Sequence, residues 1–171
     1  MRLSLGSQLA KSTVFTEVQK YLAAVGLPII AVDADRPWGG FFVIDESRLD
    51  NFIKEYFPEL ARDQIERGAR LSPKILVVAP DMRLSWQYHH RREELWKNIS
   101  GAVGYITSPT DDQGQLQTLA TDETVQFAAK VRHRLIGLEN WGVIAEIWQH
   151  TDPAKPSDES DIVRVADDFG R

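Results

Sequence analysis

Apolar residues change their spacing near Lys74. Upstream they recur every three or four positions: Phe15, Val18, Tyr21, Leu22 and Val25 form one stripe, and Leu49, Phe52, Ile53 and Tyr56 a second. That period marks an amphipathic helix. The first helix is predicted over residues 13–26, with Thr13 as N-cap and Gly26 as its stop. The second is predicted over Ser47–Tyr56, ended by Pro58, and a third, shorter one over Leu60–Arg67. Between the first two, Ile29–Val32 and Trp38–Ile44 read as short strands on either side of the Arg36-Pro37 turn.

Downstream the apolar residues fall into short runs separated by Gly, Pro, Asp or Asn. Strands are predicted over Lys74–Ala79, Leu84–His90, Leu95–Ile99, Val103–Thr107, Leu116–Leu119, Thr124–Ala128 and Val143–His150. Thr151–Ser160 is polar and contains proline, so it reads as a loop, and Ile162–Val165 as a last strand docked on the body. Many short strands at this spacing indicate a sandwich or barrel. The chain therefore reads as a mainly β protein with helical decoration at its N-terminus. No internal repeat or linker divides it.

Composition narrows the class. With 171 residues the chain fits one domain with a real core, and 43% hydrophobic with 26% charged residues is ordinary for a globular protein. A net charge of -5 argues against a nucleic-acid partner. The absence of cysteine rules out disulfides and zinc-thiolate sites and fits a reducing cytoplasm, the expected location. No apolar run is as long as a membrane span, and Gly6, Ser7 and Gln8 interrupt any signal-peptide core.

The candidate chemistry lies in Gln87-Tyr88-His89-His90-Arg91-Arg92-Glu93-Glu94-Leu95-Trp96. Side chains alternate faces along a strand, so Gln87 and His89 point the same way. A turn through Arg91 and Arg92 is expected to return Glu94, on the neighbouring strand, to the same point. An amide oxygen, an imidazole and a carboxylate suit a divalent ion such as zinc, manganese or iron. His133 is the candidate fourth ligand. The alternative is that Gln87 and His89 are polar residues of a solvent-facing strand. His90 alternates away from His89 and reads as a residue behind the ligands or at the surface. Trp86, Trp96, Trp141 and Trp148 read as core, and His150 as structural. Arg91, Arg92, Arg132 and Arg134 form a cationic cluster in an acidic chain, open to two readings: phosphate partners, or charges solvating exposed turns.

Gln87-x-His89, then Glu94 after four residues, then a distant His133, resembles the metal site of the cupin superfamily. Glutamine in place of the first histidine resembles the mannose-6-phosphate isomerases, specifically their type II form. Arg36-Pro37-Trp38-Gly39 is similar to the N-terminal signature of that form. Leu84-Ser85-Trp86-Gln87-Tyr88-His89-His90, with Arg92, Glu94, Trp96 and Ser100-Gly101, resembles its central motif. Asp161-Ile162-Val163-Arg164, with Asp167 and Gly170-Arg171, resembles its C-terminal block. The chain departs from the pattern at Arg91 and Leu95, where the family has histidines, and at Pro80-Asp81, where it has Pro-Gly. It also has Ala128 and Lys130 in place of the Pro and Gly upstream of His133, and Ile136-Gly137-Leu138 intervenes before Glu139 and Asn140. Nothing resembles the glycine-rich phosphate loop of larger bifunctional relatives, so guanylyl transfer is not expected.

The resemblance implies a jelly-roll barrel over residues 36–171, with residues 1–35 as an extension of a single cupin domain. It implies one divalent ion at Gln87, His89, Glu94 and His133: zinc first, then manganese, iron, cobalt or nickel. The implied reaction is isomerisation of a phosphorylated sugar, mannose 6-phosphate to fructose 6-phosphate or a related pair. Lys74, Glu139 and Arg164 are then expected to serve catalysis, and Arg92, Trp38 and His90 to hold the substrate. Guanidinium forks suit phosphate, which favours Arg92 and Arg164, although Arg164 can instead pair with Asp161 or Asp168. His90, Glu93 and Glu139 are the candidates for general base. Strand pairing between family members makes a homodimer the expected assembly. Two other classes stay open: a non-catalytic metal- or sugar-binding cupin, and a cupin enzyme of another kind, an oxygenase or an epimerase.

Overall fold

The structure, a computed structural model, describes residues 3–59 and 70–170. The helix predicted over Leu60–Arg67 lies outside these residues. Helix α1 spans Lys11–Ala24 and α2 spans Leu49–Tyr56. Thr13 falls inside the first turn of α1, because Ala10 is the N-cap and makes no side-chain bond there. Gly26 stops the helix as expected, with a φ of 74° that glycine adopts without steric cost. No helix among the described residues is long and apolar enough to cross a membrane.

Eleven strands are described: β1 (Ile29–Asp33), β2 (Gly39–Ile44), β3 (Leu71–Val78), β4 (Trp86–His89), β5 (Arg92–Ser100), β6 (Val103–Ser108), β7 (Gln117–Leu119), β8 (Thr124–Phe127), β9 (Arg132–Gly137), β10 (Gly142–His150) and β11 (Ile162–Ala166). They form two antiparallel sheets, β1-β2-β3-β10-β5-β8 and β11-β4-β9-β6-β7. The protein is mainly β, and its two sheets enclose a jelly-roll interior. One strand, β9, was not anticipated, and it carries His133.

The period of two explains how the layers fit. On β3, Ile75 and Val77 face one way and join α1, α2, Leu95, Val143, Ala145 and Ile147 in the first core cluster. Leu76 and Val78 face the other way and join Trp96, Leu135 and Ile144 in the cluster between the sheets. Every residue of β10 is therefore buried, because the helices cover one face and the second sheet the other. That double burial is why Val143–Trp148 reads as a nearly unbroken apolar run. The helices do more than flank the barrel, since they supply much of the larger cluster.

Glu94 reaches the interior by a route the sequence did not suggest. β4 pairs with β11 and β9, whereas β5 pairs with β10 and β8. The Arg91 turn thus carries the chain from one sheet to the other. Glu94 approaches from the wall opposite His89, not from its hydrogen-bonded neighbour.

A candidate metal centre and its pocket

β4 and β9 meet with Gln87 directly opposite His133. Cross-strand partners share a face, so both side chains belong to the same surface of the second sheet. Glu94 faces them from β5. Its Oε1 lies 3.1 Å from His89 Nε2 and its Oε2 3.1 Å from His133 Nε2. All three residues are about 2% exposed, and their ligand atoms lie within 4.8 Å of one another, a grouping that can hold a metal ion. Gln87 lines the same pocket, with its Oε1 accepting from Ser85 Oγ at 2.6 Å.

The hydrogen bonds decide which nitrogens face the centre. His133 Nδ1 lies 3.0 Å from the Val131 carbonyl, which can only accept, so Nδ1 carries the proton. Phe127 stacks on the ring at 4.6 Å and Trp96 meets it edge-on. Nε2 is therefore the nitrogen that faces Glu94 Oε2. His89 differs: Arg92 Nη2, which can only donate, lies 3.2 Å from its Nε2, and its buried Nδ1 has no hydrogen-bond partner. Burial pushes the His89 pKa down to about 4, so the ring is neutral near pH 7. Burial opposes ionisation of Glu94, but the positive charge that His89, Arg92 and His133 can bring to it holds its carboxyl well below the usual range. Two imidazole Nε2 atoms thus converge on a carboxylate, and a ring proton, the Arg92 guanidinium or a metal ion can each supply positive charge between them. Neutral imidazole and ionised carboxylate are the forms that bind a divalent ion, and a carbonyl-anchored ring is how metal-ligating histidines are commonly oriented. The residues present fit such an ion.

The pocket around this group has a volume of about 510 Å³, including its mouth. Trp38, Lys74, Arg92 and Arg164 all line it. Lys74 lies over the Trp148 ring at 3.3 Å, and burial lowers its pKa against the pull of Glu146 and Glu159. Arg92 is buried: its Nε donates to Glu94 Oε1 at 2.8 Å and Nη1 to Ser157 Oγ at 3.0 Å. Arg164 lies opposite Gln87 on β11, and its Nε is buried without a hydrogen-bond partner. It pairs with neither candidate acid. Asp161 is held by Arg91 at 3.2 Å, and Asp168 by Arg83.

Three expected residues are not brought here. Glu139 is exposed in the turn between β9 and β10 and borders a separate depression with Arg83 and Asp168. His90 is exposed, as the alternation from His89 dictates. Glu93 alternates away from Glu94 and accepts from Gln126. The arginine cluster also disperses: Arg91 pairs with Asp161, Arg132 with Asp111 at 2.7 Å, and Arg134 donates to the Leu84 carbonyl at 3.0 Å.

Besides Glu94 and Glu159, the carboxyl that enters the pocket is Glu146, on the inward face of β10. It is 4% exposed, and Trp96 Nε1 donates to its Oε1 at 2.9 Å. Burial, then the nearby Glu94 charge, pushes its pKa up to about 8. A lone acid in the apolar run Val143–Trp148 was the available signal. Its linkage is testable. A folded-state pKa above the unfolded value gives stability that is full below pH 4.5 and lost as pH rises through about 8. Glu146→Gln is therefore expected to flatten the fall in Tm across that window. A fall as steep as that of the unsubstituted protein would place the cost on another group.

The chain belongs to the family described as mannose-6-phosphate isomerase C-terminal, whose model matches residues 46–167. It is 31% identical over 118 residues to the xanthan biosynthesis protein XanB of Xanthomonas campestris, covering 69% of this chain and 24% of that protein. It is 32% identical over 130 residues to the alginate biosynthesis protein AlgA of Pseudomonas aeruginosa, covering 73% and 24%. The chain thus spans about a quarter of the length of these curated relatives. Among solved structures, a mutant of the Bacillus subtilis oxalate decarboxylase OxdC superposes with a TM-score of 0.53 at 10% identity, over 78% of this chain and 30% of that one. That likeness shows the cupin fold alone.

Proposed function

We propose that this chain is a metal-dependent aldose-ketose isomerase acting on a phosphorylated sugar, with mannose 6-phosphate and fructose 6-phosphate as the leading pair. One observation carries the reading: two buried imidazoles and a buried carboxylate converge at the wall of a pocket that Glu94 lines together with Lys74, Arg164 and aromatic rings. The family relationship and the polysaccharide-biosynthesis relatives support it. A divalent ion held by Gln87, His89, Glu94 and His133, zinc before manganese, iron, cobalt or nickel, would polarise the carbonyl of the open-chain sugar. Isomerisation also needs a group that moves a proton between neighbouring carbons. Glu146 takes that role in place of Glu139, since a carboxyl poised near neutral pH can both give and accept a proton. Trp96 holds its Oε1 and so orients the carboxyl. Trp38, which lines the pocket, offers an apolar face to the sugar and excludes water, whereas the Trp148 ring is covered by Lys74 and Arg92.

Elemental analysis followed by a coupled isomerase assay on the same preparation tests this. The expected result is about one divalent ion per chain and turnover within the ordinary enzymatic range, roughly 1–1000 per second. Chelation abolishes that turnover and metal restores it. Bound metal without turnover of any hexose, pentose or heptose phosphate would sink the isomerase.

A second reading, a non-catalytic sugar-binding module, is favoured by Arg92. Its guanidinium donates to both His89 and Glu94 and so gives the cluster a cation of its own. Absence of metal from the purified protein would select that reading.

A further inference from the structure

We propose that Arg36, Lys74 and Arg164 form a subsite for the phosphoryl group of the substrate, and that Glu159 occupies it as an internal stand-in that the arriving phosphate displaces. The sugar half of this assignment rests on the isomerase reading; the anion half rests on the rim itself.

Glu159 belongs to a short 3-10 turn, Glu159–Asp161, between β10 and β11. The turn is pinned at its far end by Asp161. That carboxylate accepts from the His90 and Arg91 amides and from Ser157 Oγ, at 3.3, 2.9 and 2.7 Å. At its near end Asp158 caps it, accepting from the Ser160 amide at 2.9 Å. Held at both ends, the turn presents Glu159 to the pocket while its side chain stays 54% exposed. Oε1 lies 3.6 Å from Lys74 Nζ, and Oε2 lies 4.0 Å from Arg36 Nη2. One carboxylate thus bridges two cations from different parts of the fold, and Arg36 keeps its Nε on Asp33 at 2.7 Å while its Nη2 faces Glu159.

The third cation has one unsatisfied donor. Arg164 lines the same pocket, and its buried Nε has no acceptor. Such an orphan donor is costly unless a ligand accepts from it. A phosphoryl group carries nearly two negative charges and three terminal oxygens, one oxygen more than a carboxylate. In this subsite two of its oxygens bridge Lys74 and Arg36 as Glu159 does, and the third is assigned to Arg164 on the same pocket wall. Arg92 is not part of this subsite, because Glu94, Ser157 and His89 already engage its fork.

The stand-in is built to leave. Its contacts are longer than the charge-assisted hydrogen bonds of a committed pair, and exposed pairs of this kind are weak. Rotation of one side chain frees the subsite without moving the anchored turn. Glu159 also filters by charge: a monoanionic group gains little by replacing another carboxylate, whereas a phosphoryl dianion gains.

Calorimetric titration of inorganic phosphate, with acetate as the monoanion comparator, tests the proposal at low ionic strength. It is run on the protein as isolated and again after chelation. Glu159→Gln is expected to bind phosphate roughly two- to tenfold more tightly than the unsubstituted chain in both states. It should also acquire acetate binding that the unsubstituted chain lacks. Arg164→Met is expected to weaken phosphate several-fold. Phosphate affinity unchanged or reduced in Glu159→Gln, or unchanged in Arg164→Met, overturns the proposal. If Glu159→Gln tightens phosphate while no sugar phosphate is turned over, the subsite stands and the isomerase reading falls.

Discussion

Glu94→Gln is expected to strip the divalent ion from the purified protein and to lower isomerase turnover by more than about a hundredfold. Replacing groups that only support a metal ligand already costs about 10–100-fold in affinity or activity. Glu94 stands closer than that: it contacts both imidazoles at 3.1 Å and is the single carboxylate of the buried group. Glutamine keeps its shape but removes the charge that draws a cation between the two rings. An amide N–H would also occupy one of the imidazole lone pairs the ion needs. Glu93→Gln is the control, since that side chain leaves the opposite face of β5 toward Gln126 and should keep both metal and turnover. Elemental analysis and turnover on the same preparations decide the matter. Stoichiometric metal in Glu94→Gln would remove Glu94 from the ligand set, and unchanged turnover in the presence of bound metal would separate that metal from the reaction.

The sequence disclosed the residues of the buried cluster more readily than the wall they stand on. Gln87, His89 and Glu94 were legible because polar residues of metal-binding type cluster within a strand-forming stretch. His133 was legible as a residue but not as part of a strand. β9 reads Arg-His-Arg-Leu-Ile-Gly, and its inward and outward positions do not alternate in polarity. Arg134 is 2% exposed, yet it spends its donors on the Leu84 carbonyl and faces Asp168, so a buried strand residue looked like a surface charge. Hydrophobic periodicity fails where the interior itself is polar, which is expected at a functional site.

The same physics hid Glu146 and promoted Glu139. β10 is buried on both faces, so its one acid interrupts an apolar run and gives no sign of which face it takes. Register supplies that sign: Glu146 lies opposite Lys74 and Trp96, both lining the pocket. Glu139 follows His133 closely in sequence, but β9 runs to Gly137 before the turn and carries it away from the centre. Proximity along a strand is distance in space, at about 3.3 Å per residue.

Arg92→Ala carries the largest expected loss of stability. Arg92 is 2% exposed, with its guanidinium 3.5 Å from the centroid of the Trp148 ring. It is also the only Lys or Arg paired with Glu94 among the described residues. Truncation leaves that carboxylate buried without the pair, frees Ser157 Oγ from its bond to Nη1, and opens a void beside Trp148. Breaking a buried pair from one side costs about 3–5 kcal/mol, because the remaining charge is uncompensated. The measurement is chemical denaturation of chelator-treated protein. Arg92→Met separates the causes: it fills the void but keeps the charge defect, so it should recover only the packing share. Adding a divalent ion should recover much of the remainder in both variants, since an ion at Glu94 replaces the missing charge and binding to the folded state alone is stabilising. A loss below about 1 kcal/mol would mean that Glu94 is neutral in the metal-free protein. A loss that metal leaves untouched would mean that the ion and Arg92 do not share the carboxylate. The two cations are therefore expected to be partial substitutes: Arg92 keeps the ligand cluster assembled before metal arrives, and the ion takes over part of that task once bound.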